Sequence, residues 1–157
     1  MKFFRVLLSY IKDNIIRLTR GYVAFAKYKG VSVGERCRLY IKYWGTEPHL
    51  ITIGDDVTIA RGVELLTHDG SYGLVKVQGN RKYLYGPISI GSNVFLGVNV
   101  IILPNVIIGD NVVVGAGSIV TKSIPDNSIV VGNPAKIIKS FDDFKSVVLQ
   151  RGCDAKM

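Results

Sequence analysis

The chain has 157 residues, 48% of them hydrophobic and 20% charged, which predicts one domain with a buried core and excludes a disordered protein. The net charge is +8, but residues 1–30 hold seven basic side chains and one acidic side chain, so the rest of the chain is nearly neutral. A nucleic-acid-binding domain needs a basic face on its folded body, and the sequence therefore excludes that class.

Cysteine content and hydropathy exclude further classes. Cys37 and Cys153 are far apart and belong to no Cys/His cluster, so we expect no disulfide framework, no metal site and a reducing, cytoplasmic location. No run of about 18 uncharged apolar residues occurs, so no membrane-spanning helix is predicted. Charged residues interrupt the apolar N-terminus, which does not fit a signal peptide.

Residues 2–28 predict an amphipathic helix that ends at Gly30. Two roles fit this helix. It can cap the open end of the fold that follows, which is the preferred interpretation, or its basic and apolar faces can contact the inner surface of an anionic membrane. The two roles are compatible. The apolar face comprises Phe4, Leu8, Ile11, Ile15, Leu18 and Tyr22.

The middle of the chain repeats every six residues. From Ile90 it reads IGSNVF, LGVNVI, ILPNVI, IGDNVV, VGAGSI and VTKSIP, and residues 53–70 and the segment VGERCR from Val33 keep the same register. Asparagine or glycine at the fourth position accepts positive φ at low cost, so each repeat can bend there. The first and fifth positions then point inward and stack on the next coil, which predicts a solenoid.

The sixth position of these repeats is also apolar and should face outward. So much outward apolar surface is costly on a monomer and favours a homo-oligomer. The insertion at 71–87 breaks the period and predicts a loop on the binding side. After Lys139 a short helix capped by Ser140 and Asp143 is expected. We therefore divide the chain into an N-terminal helix (1–30), a solenoid (31–139) and a C-terminal helix and tail (140–157).

The run IGDNVVVGAGSIVTKSIPDNSIVVGNPAKIIK resembles the signature of the hexapeptide-repeat acyltransferases, and the resemblance covers about residues 53–139. It implies an all-β solenoid of the left-handed parallel β-helix type, assembled as a homotrimer with active sites between subunits. The sequence is most similar to the sugar O-acetyltransferases, which include galactoside, maltose and surface-polysaccharide enzymes. The resemblance implies transfer from acetyl-CoA, without a metal, to a hydroxyl of a sugar or lipid-linked sugar.

His68 is the candidate general base. It holds the fourth place of LLTHDG, where asparagine stands elsewhere, so we expect a bend and an outward side chain. Histidine takes up a proton near neutral pH, and a hydroxyl that attacks a thioester must lose one. Thr67-His68 also matches the Thr-His pair that carries the catalytic histidine in the resembled family. The alternative is a histidine that merely tolerates the bend.

Five residues are candidates for the acceptor pocket. Asp69 can equally be a solvated acidic residue in a turn, without a role in the acceptor pocket. The tyrosines of the insertion can stack on a sugar ring, and Phe95 replaces the family's tryptophan in NVFLG, where it can equally pack at an interface. The candidates are Asp69, Tyr72, Tyr83, Tyr85 and Phe95.

The resemblance also assigns the acetyl-CoA contacts. It places the backbone N–H of Val98 beside the thioester carbonyl, where such a donor stabilises an oxyanion. Lysines match the residues that meet the CoA phosphates, since several negative charges need cations nearby. The cofactor-binding residues implied are Gly97, Val98, Ala116, Thr121, Lys122, Lys136 and Lys139.

Other interpretations remain open from the sequence. The acceptor can be a drug hydroxyl or serine, or the chain can be an inactive β-helix scaffold at the membrane. A gamma-type carbonic anhydrase shares the fold but needs three zinc-ligating histidines, and this chain has only His49 and His68. Trp44 is expected to pack beneath the N-terminal helix rather than to bind a sugar.

Overall fold

A computed structural model describes residues 2–151. Short 3-10 helices lie at Pro48–Leu50 and Gly70–Leu74. The helices and strands in chain order are α1 (Lys2–Lys29), β1 (Ser32–Val33), β2 (Arg38–Leu39), β3 (Ile51–Ile53), β4 (Thr58–Ile59), β5 (Glu64–Leu65), β6 (His68–Asp69), β7 (Lys76–Val77), β8 (Asn80–Arg81), β9 (Leu84–Tyr85), β10 (Ile88–Ile90), β11 (Val94–Leu96), β12 (Ile101–Ile102), β13 (Ile107–Ile108), β14 (Val112–Val114), β15 (Ile119–Val120), β16 (Ser128–Val131), β17 (Lys136–Ser140) and α2 (Phe141–Arg151).

Three parallel sheets form the three faces of a solenoid. The first face contains β1, β3, β10 and β13, the second contains β2, β4, β11, β14 and β16, and the third contains β5, β12 and β15. Strand β17 closes the edge of the second face by pairing antiparallel with β16. Within the regular part, residues 18 apart stack on one another, as Asn93 does on Asn111. The repeats therefore build the predicted coil, with three hexapeptides to a winding.

The fourth position makes the predicted bend in most repeats, although not at His68 or Ser123. Asn93, Asn111 and Gly117 have φ of 56°, 54° and 71°. Asp56 and Arg36 do the same in the earlier windings, with φ of 57° and 55°. At one corner the asparagines also form a ladder, since the Nδ2 of Asn93 donates to Asn111 Oδ1 at 2.8 Å. The positive φ produces the bend, and the asparagine ladder links successive windings at that one corner.

The core is a column of aliphatic side chains inside the coil. First-position residues such as Ile102 and fifth-position residues such as Val100 are fully buried. Each such side chain contributes about 1.5–3 kcal/mol by leaving water. The sixth position faces outward as predicted, and Phe95 and Ile107 are exposed. The buried Trp44 belongs to the same core as Phe25 of α1.

The predicted N-terminal helix is present as α1, but it is kinked, and one of its two segments caps the coil. Gly21 has φ 81° and ψ 175°, so the chain kinks between residues 2–20 and 22–29. The short segment closes the first winding, because Phe25 and Ala26 are buried in its core. The long segment leaves its apolar face in solvent, with Leu18 74% exposed. Neither helix within residues 2–151 has an apolar stretch long enough to cross a bilayer.

The insertion and the C-terminus contain regular structure. Strands β7 and β8 pair as an antiparallel hairpin, and β9 returns to pair antiparallel with β6. Helix α2 begins as predicted, since Ser140 Oγ donates to Asp143 Oδ2 at 2.6 Å and the Asp143 N–H donates back to Ser140 Oγ at 3.1 Å. Residues 152–157, with Cys153, lie outside the described residues, and Cys37 is a free thiol.

Candidate functional site

His68 lies where the insertion leaves the third face of the coil. It is held in β6, directly opposite Tyr85 of β9. The neighbouring residues Thr67 and Gly86 are also hydrogen-bonded, since the Gly86 N–H donates to the Thr67 carbonyl at 2.8 Å. His68 is thus in a strand and is not among the positive-φ residues, so the predicted bend at this position is wrong. The returning strand β9 explains this, because pairing keeps the backbone extended.

The His68 side chain is nevertheless 43% exposed, and it borders a small cleft of about 80 Å³. Its Nδ1 lies 3.0 Å from Oε2 of Glu47. The same carboxylate oxygen accepts the hydroxyl hydrogen of the buried Thr67 at 2.7 Å. The hydroxyl of Thr46 donates to the other oxygen, Oε1. Glu47 is therefore the acceptor that holds the imidazole in place.

The hydrogen bonds to Glu47 also determine the protonation state of this pair. Donation from Thr46 and then Thr67, with a further contribution from His68, lowers the pKa of the Glu47 carboxyl to about 2. An ionised carboxylate only accepts hydrogen bonds, so Nδ1 of His68 must carry the shared hydrogen. In the neutral imidazole the lone pair is then on Nε2. This arrangement leaves Nε2 ready to accept a proton.

Sequence reasoning missed Glu47. The regular windings have an 18-residue spacing, which would place His49 above Thr67. The first windings are longer, and Glu47 contacts Thr67 across a separation of 20 residues. The same separation of 20 residues joins Arg36 to Asp56. The spacing of these two early repeats could therefore have indicated that Glu47, rather than His49, lies beside Thr67. His49 itself is exposed in the 3-10 helix Pro48–Leu50.

The structure brings some acceptor candidates to His68. The ring centroids of His68 and Tyr85 lie 6.1 Å apart, and those of Tyr85 and Tyr83 lie 6.2 Å apart. Tyr72 is exposed in the 3-10 helix that starts two residues after His68. Asp69 caps that helix by accepting the Ser71 N–H at 2.8 Å, and hydrogen bonds from Ser71 lower the pKa of its carboxyl. Asp69 thus has a structural role in shaping the loop.

A second corner of the coil, between the second and third faces, holds Gly97, Val98 and Ala116. Gly97 lies so close to the next winding that an added Cβ would meet the Ala116 nitrogen at 2.6 Å. The Val98 carbonyl accepts the Gly117 N–H at 2.8 Å. Within residues 2–151 the N–H of Val98 has no hydrogen-bond acceptor. It is therefore a free backbone donor on the surface.

The remaining predicted cofactor residues lie in the last windings. Thr121 and Lys122 follow β15 and are exposed, and Lys136 and Lys139 belong to β17. Phe95 lies on the second face, in a groove of about 520 Å³ with Phe141 and Phe144 of α2. Within one chain, Phe95 and the Val98 corner are therefore on parts of the coil other than the His68 junction.

The described residues contain no group of three or more histidine, cysteine, aspartate or glutamate side chains placed to hold a metal ion. The side-chain groups at this junction are the imidazole of His68, the carboxylate of Glu47 and two threonine hydroxyls. Such a set can remove a proton from a hydroxyl group bound beside Nε2.

The bacterial transferase hexapeptide family, described as six repeats, matches residues 87–122. Protein CapG of Staphylococcus aureus is 49% identical over 124 residues, which cover 77% of this chain and 72% of that protein. Galactoside O-acetyltransferase of Escherichia coli (strain K12) is 38% identical over 123 residues, covering 77% of this chain and 59% of that enzyme. The chain thus spans less than two thirds of the galactoside enzyme.

Solved structures agree with this similarity. A hexapeptide-repeat-containing acetyltransferase from Vibrio cholerae O1 biovar eltor, complexed with acetyl-CoA, superposes with a TM-score of 0.55 and 28% identity. The match covers 72% of this chain and 61% of that one. The fold seen here therefore occurs in an acetyltransferase that binds acetyl-CoA.

Proposed function

Because this chain belongs to the hexapeptide-repeat transferases, as the sequence predicted, we propose that it transfers the acetyl group of acetyl-CoA to a sugar hydroxyl. The donor follows from the family, in which an acetyl-CoA complex is known. The acceptor class is supported by the similarity to a galactoside O-acetyltransferase. We place the reaction in the cytoplasm, in the assembly of a surface polysaccharide or glycoconjugate.

The observation that carries the proposal is the hydrogen bond of 3.0 Å between Glu47 and His68 Nδ1. It directs the free lone pair of the imidazole to Nε2. In the proposed reaction Nε2 takes the proton of the sugar hydroxyl, and the hydroxyl oxygen attacks the carbonyl carbon of the thioester. The carbon–sulfur bond then breaks, and the imidazolium returns the proton to the CoA thiolate. Neither a metal nor an acetylated side chain takes part.

Residues at the second corner would hold the donor. The free N–H of Val98 is a suitable hydrogen-bond donor to the carbonyl oxygen as negative charge develops there, and such donors stabilise a transition state by a few kcal/mol. Because Gly97 has no side chain and Ala116 has a small one, they would leave room beside the Val98 N–H for the pantetheine arm. Lys122, Lys136 and Lys139 supply cations for the CoA phosphates, with Thr121 beside them.

We further propose that the coil is left-handed and that three chains associate, with each active site between two of them. The exposed apolar residues at the sixth repeat positions support association. The separation of His68 from the Val98 corner in one chain also supports it. A neighbouring chain would complete the site by bringing its Val98 corner to His68.

Replacement of His68 by alanine tests the proposed reaction. We expect His68→Ala to lower kcat by about 10²–10⁴-fold, the contribution of a general base, while CoA binds as before. The release of free CoA thiol with a panel of sugars measures the rate, and calorimetry measures CoA binding. His49→Ala is the matched control because His49 is an exposed histidine away from the cleft. Full activity of His68→Ala would overturn the assignment, and CoA binding without turnover in the unsubstituted protein would indicate a scaffold.

A further inference from the structure

A cleft of about 580 Å³ lies beside the His68 cleft and is not used by the proposed reaction. It runs between α1 and the first two windings of the third face. Tyr43 and Glu64 line both this cleft and the small cleft at His68, so the two clefts adjoin each other. Its volume is in the range that holds a sugar-sized or nucleotide-sized ligand. The lining residues are Arg17, Tyr22, Tyr40, Ile41, Lys42, Tyr43, Arg61, Gly62, Val63 and Glu64.

The cleft is cationic. Arg17, Lys42 and Arg61 line it, against a single carboxylate from Glu64. None of the three cations takes part in a salt bridge with another of residues 2–151. Because the cationic residues outnumber the single carboxylate, an anion bound in the cleft is stabilised.

Arg17 is held in the cleft by neutral groups. Its Nη2 donates to Asn14 Oδ1 at 2.8 Å, and its Nη1 donates to the Tyr22 hydroxyl at 3.3 Å. The guanidinium also lies 5.5 Å from the centroid of the Tyr22 ring. These contacts orient a half-buried guanidinium without neutralising it. A fixed guanidinium is the group that binds phosphate oxygens with two parallel hydrogen bonds.

We propose that this cleft binds a phosphate or diphosphate group of the acceptor, so that the enzyme acetylates a glycosyl phosphate rather than a neutral sugar. This inference rests on the proposed function and specifies its substrate. The phosphate lies among Arg17, Lys42 and Arg61, and the attached sugar extends past Tyr43 and Glu64 to His68. Tyrosine faces are suited to pack against a sugar ring at that point.

The CoA phosphates are the other anions in the reaction, but the location of the cleft favours the acceptor. The cleft is built by α1 and the first windings of the coil, from residues 17–64. The lysines proposed for CoA follow β15 and lie in β17, in the last windings. The two cationic groups are therefore at opposite ends of the solenoid.

A comparison of acceptors tests the inference. Acetyl transfer is measured at saturating acetyl-CoA with a set of hexoses, their 1-phosphates and their nucleotide-diphosphate derivatives. We expect the phosphorylated forms of one hexose to have a KM about 10–100-fold lower than the free hexose, as charged hydrogen bonds imply. Arg17→Gln and Arg61→Gln should remove most of this preference by raising the KM of the phosphorylated forms. Equal KM values for both forms, unchanged by the substitutions, would overturn it.

Arg20→Gln is the matched control, since Arg20 is an exposed arginine on the same helix but does not line the cleft. A preference for the nucleotide-diphosphate hexose over a polyprenyl-diphosphate hexose, or the reverse, identifies the source of the diphosphate. Either result supports the inference.

Binding of inorganic pyrophosphate, measured by calorimetry at saturating CoA, tests the cleft without turnover. The Arg17→Gln, Arg61→Gln double variant should lose about 10-fold or more in pyrophosphate affinity. If it loses CoA affinity instead, the cleft belongs to the donor and the inference is wrong. If no sugar of any kind is acetylated but pyrophosphate binding behaves as expected, the proposed function fails while the anion site stands.

Discussion

Glu47 connects the stability of the junction with the orientation of His68. Its pKa is lowered to about 2 by hydrogen bonds from Thr46 and Thr67, compared with about 4.5 for a free glutamate. A carboxyl group whose pKa is lower in the folded state stabilises that state above its unfolded pKa, and the contribution disappears as the pH falls through the folded value. We therefore expect Glu47→Gln to lower Tm at pH 7. The difference from the unsubstituted protein should shrink between pH about 4.5 and about 2. Thermal unfolding followed across this pH range measures it.

The matched control is Glu35→Gln, which removes an exposed carboxylate from a corner of the coil. Its Tm is measured over the same pH range for comparison with Glu47→Gln. A Glu47→Gln effect that is independent of pH would contradict the ionised state assigned to Glu47. Glu47→Gln should also lose activity at neutral pH. The new amide can donate a hydrogen bond from its NH₂ to Nδ1 of His68, which stabilises the tautomer with its hydrogen on Nε2.

Helix α1 has an apolar surface that remains exposed in the single chain. The apolar side chains of Phe4, Leu8, Ile11, Ile15 and Leu18 are exposed, and Lys12, Arg20 and Lys27 provide exposed cations on the same helix. An amphipathic helix of this kind lies in the interface of an anionic bilayer. We expect the protein to sediment with vesicles that contain phosphatidylglycerol but not with pure phosphatidylcholine. Added salt should weaken the binding, because salt screens the charges.

Two glutamate substitutions separate the apolar face from simple charge. Ile11→Glu places a carboxylate among the exposed apolar residues, whereas Ser9→Glu adds the same charge at an exposed polar position. Ile11→Glu should abolish vesicle binding and Ser9→Glu should weaken it slightly. Equal effects of the two would show that the apolar face does not enter the bilayer. Association with another protein chain would then be the explanation for that face.

The proposed reaction requires two corners of the molecule that lie apart in a single chain. If His68 of one chain works with the Val98 corner of its neighbour, two inactive variants can complement each other. Co-expression of His68→Ala with Ala116→Trp, which fills the groove beside Val98, should restore about a quarter of wild-type activity in randomly mixed trimers. Light scattering should give a mass of three chains of 17.3 kDa.

Each variant purified alone is the control and should be inactive. A mixture as inactive as its components would show that both groups act within one chain, and a monomeric mass would exclude the shared site. A monomer would also leave the exposed apolar side chains of Phe95 and Ile107 without a partner.

The sequence by itself determined the solenoid. The six-residue period records which positions face inward and where the backbone bends, and both properties are local. An asparagine such as Asn93 or Asn111 tolerates positive φ wherever it occurs, and an aliphatic first position is buried once the turns close. The cap of α2 was equally readable, because Ser140 and Asp143 satisfy each other across three residues.

Only the tertiary structure decided how the candidate site is built. The pairing of Glu47 with His68 depends on windings that are longer at the start than in the regular repeats, and a single repeat does not give that length. The strand conformation of His68 depends on β9, which returns from the far side of the insertion. The kink at Gly21 likewise separates a packed segment of α1 from an exposed one. A repeat pattern specifies each winding, whereas contacts between windings depend on how many residues each winding contains, so the site appears only when the coil is closed.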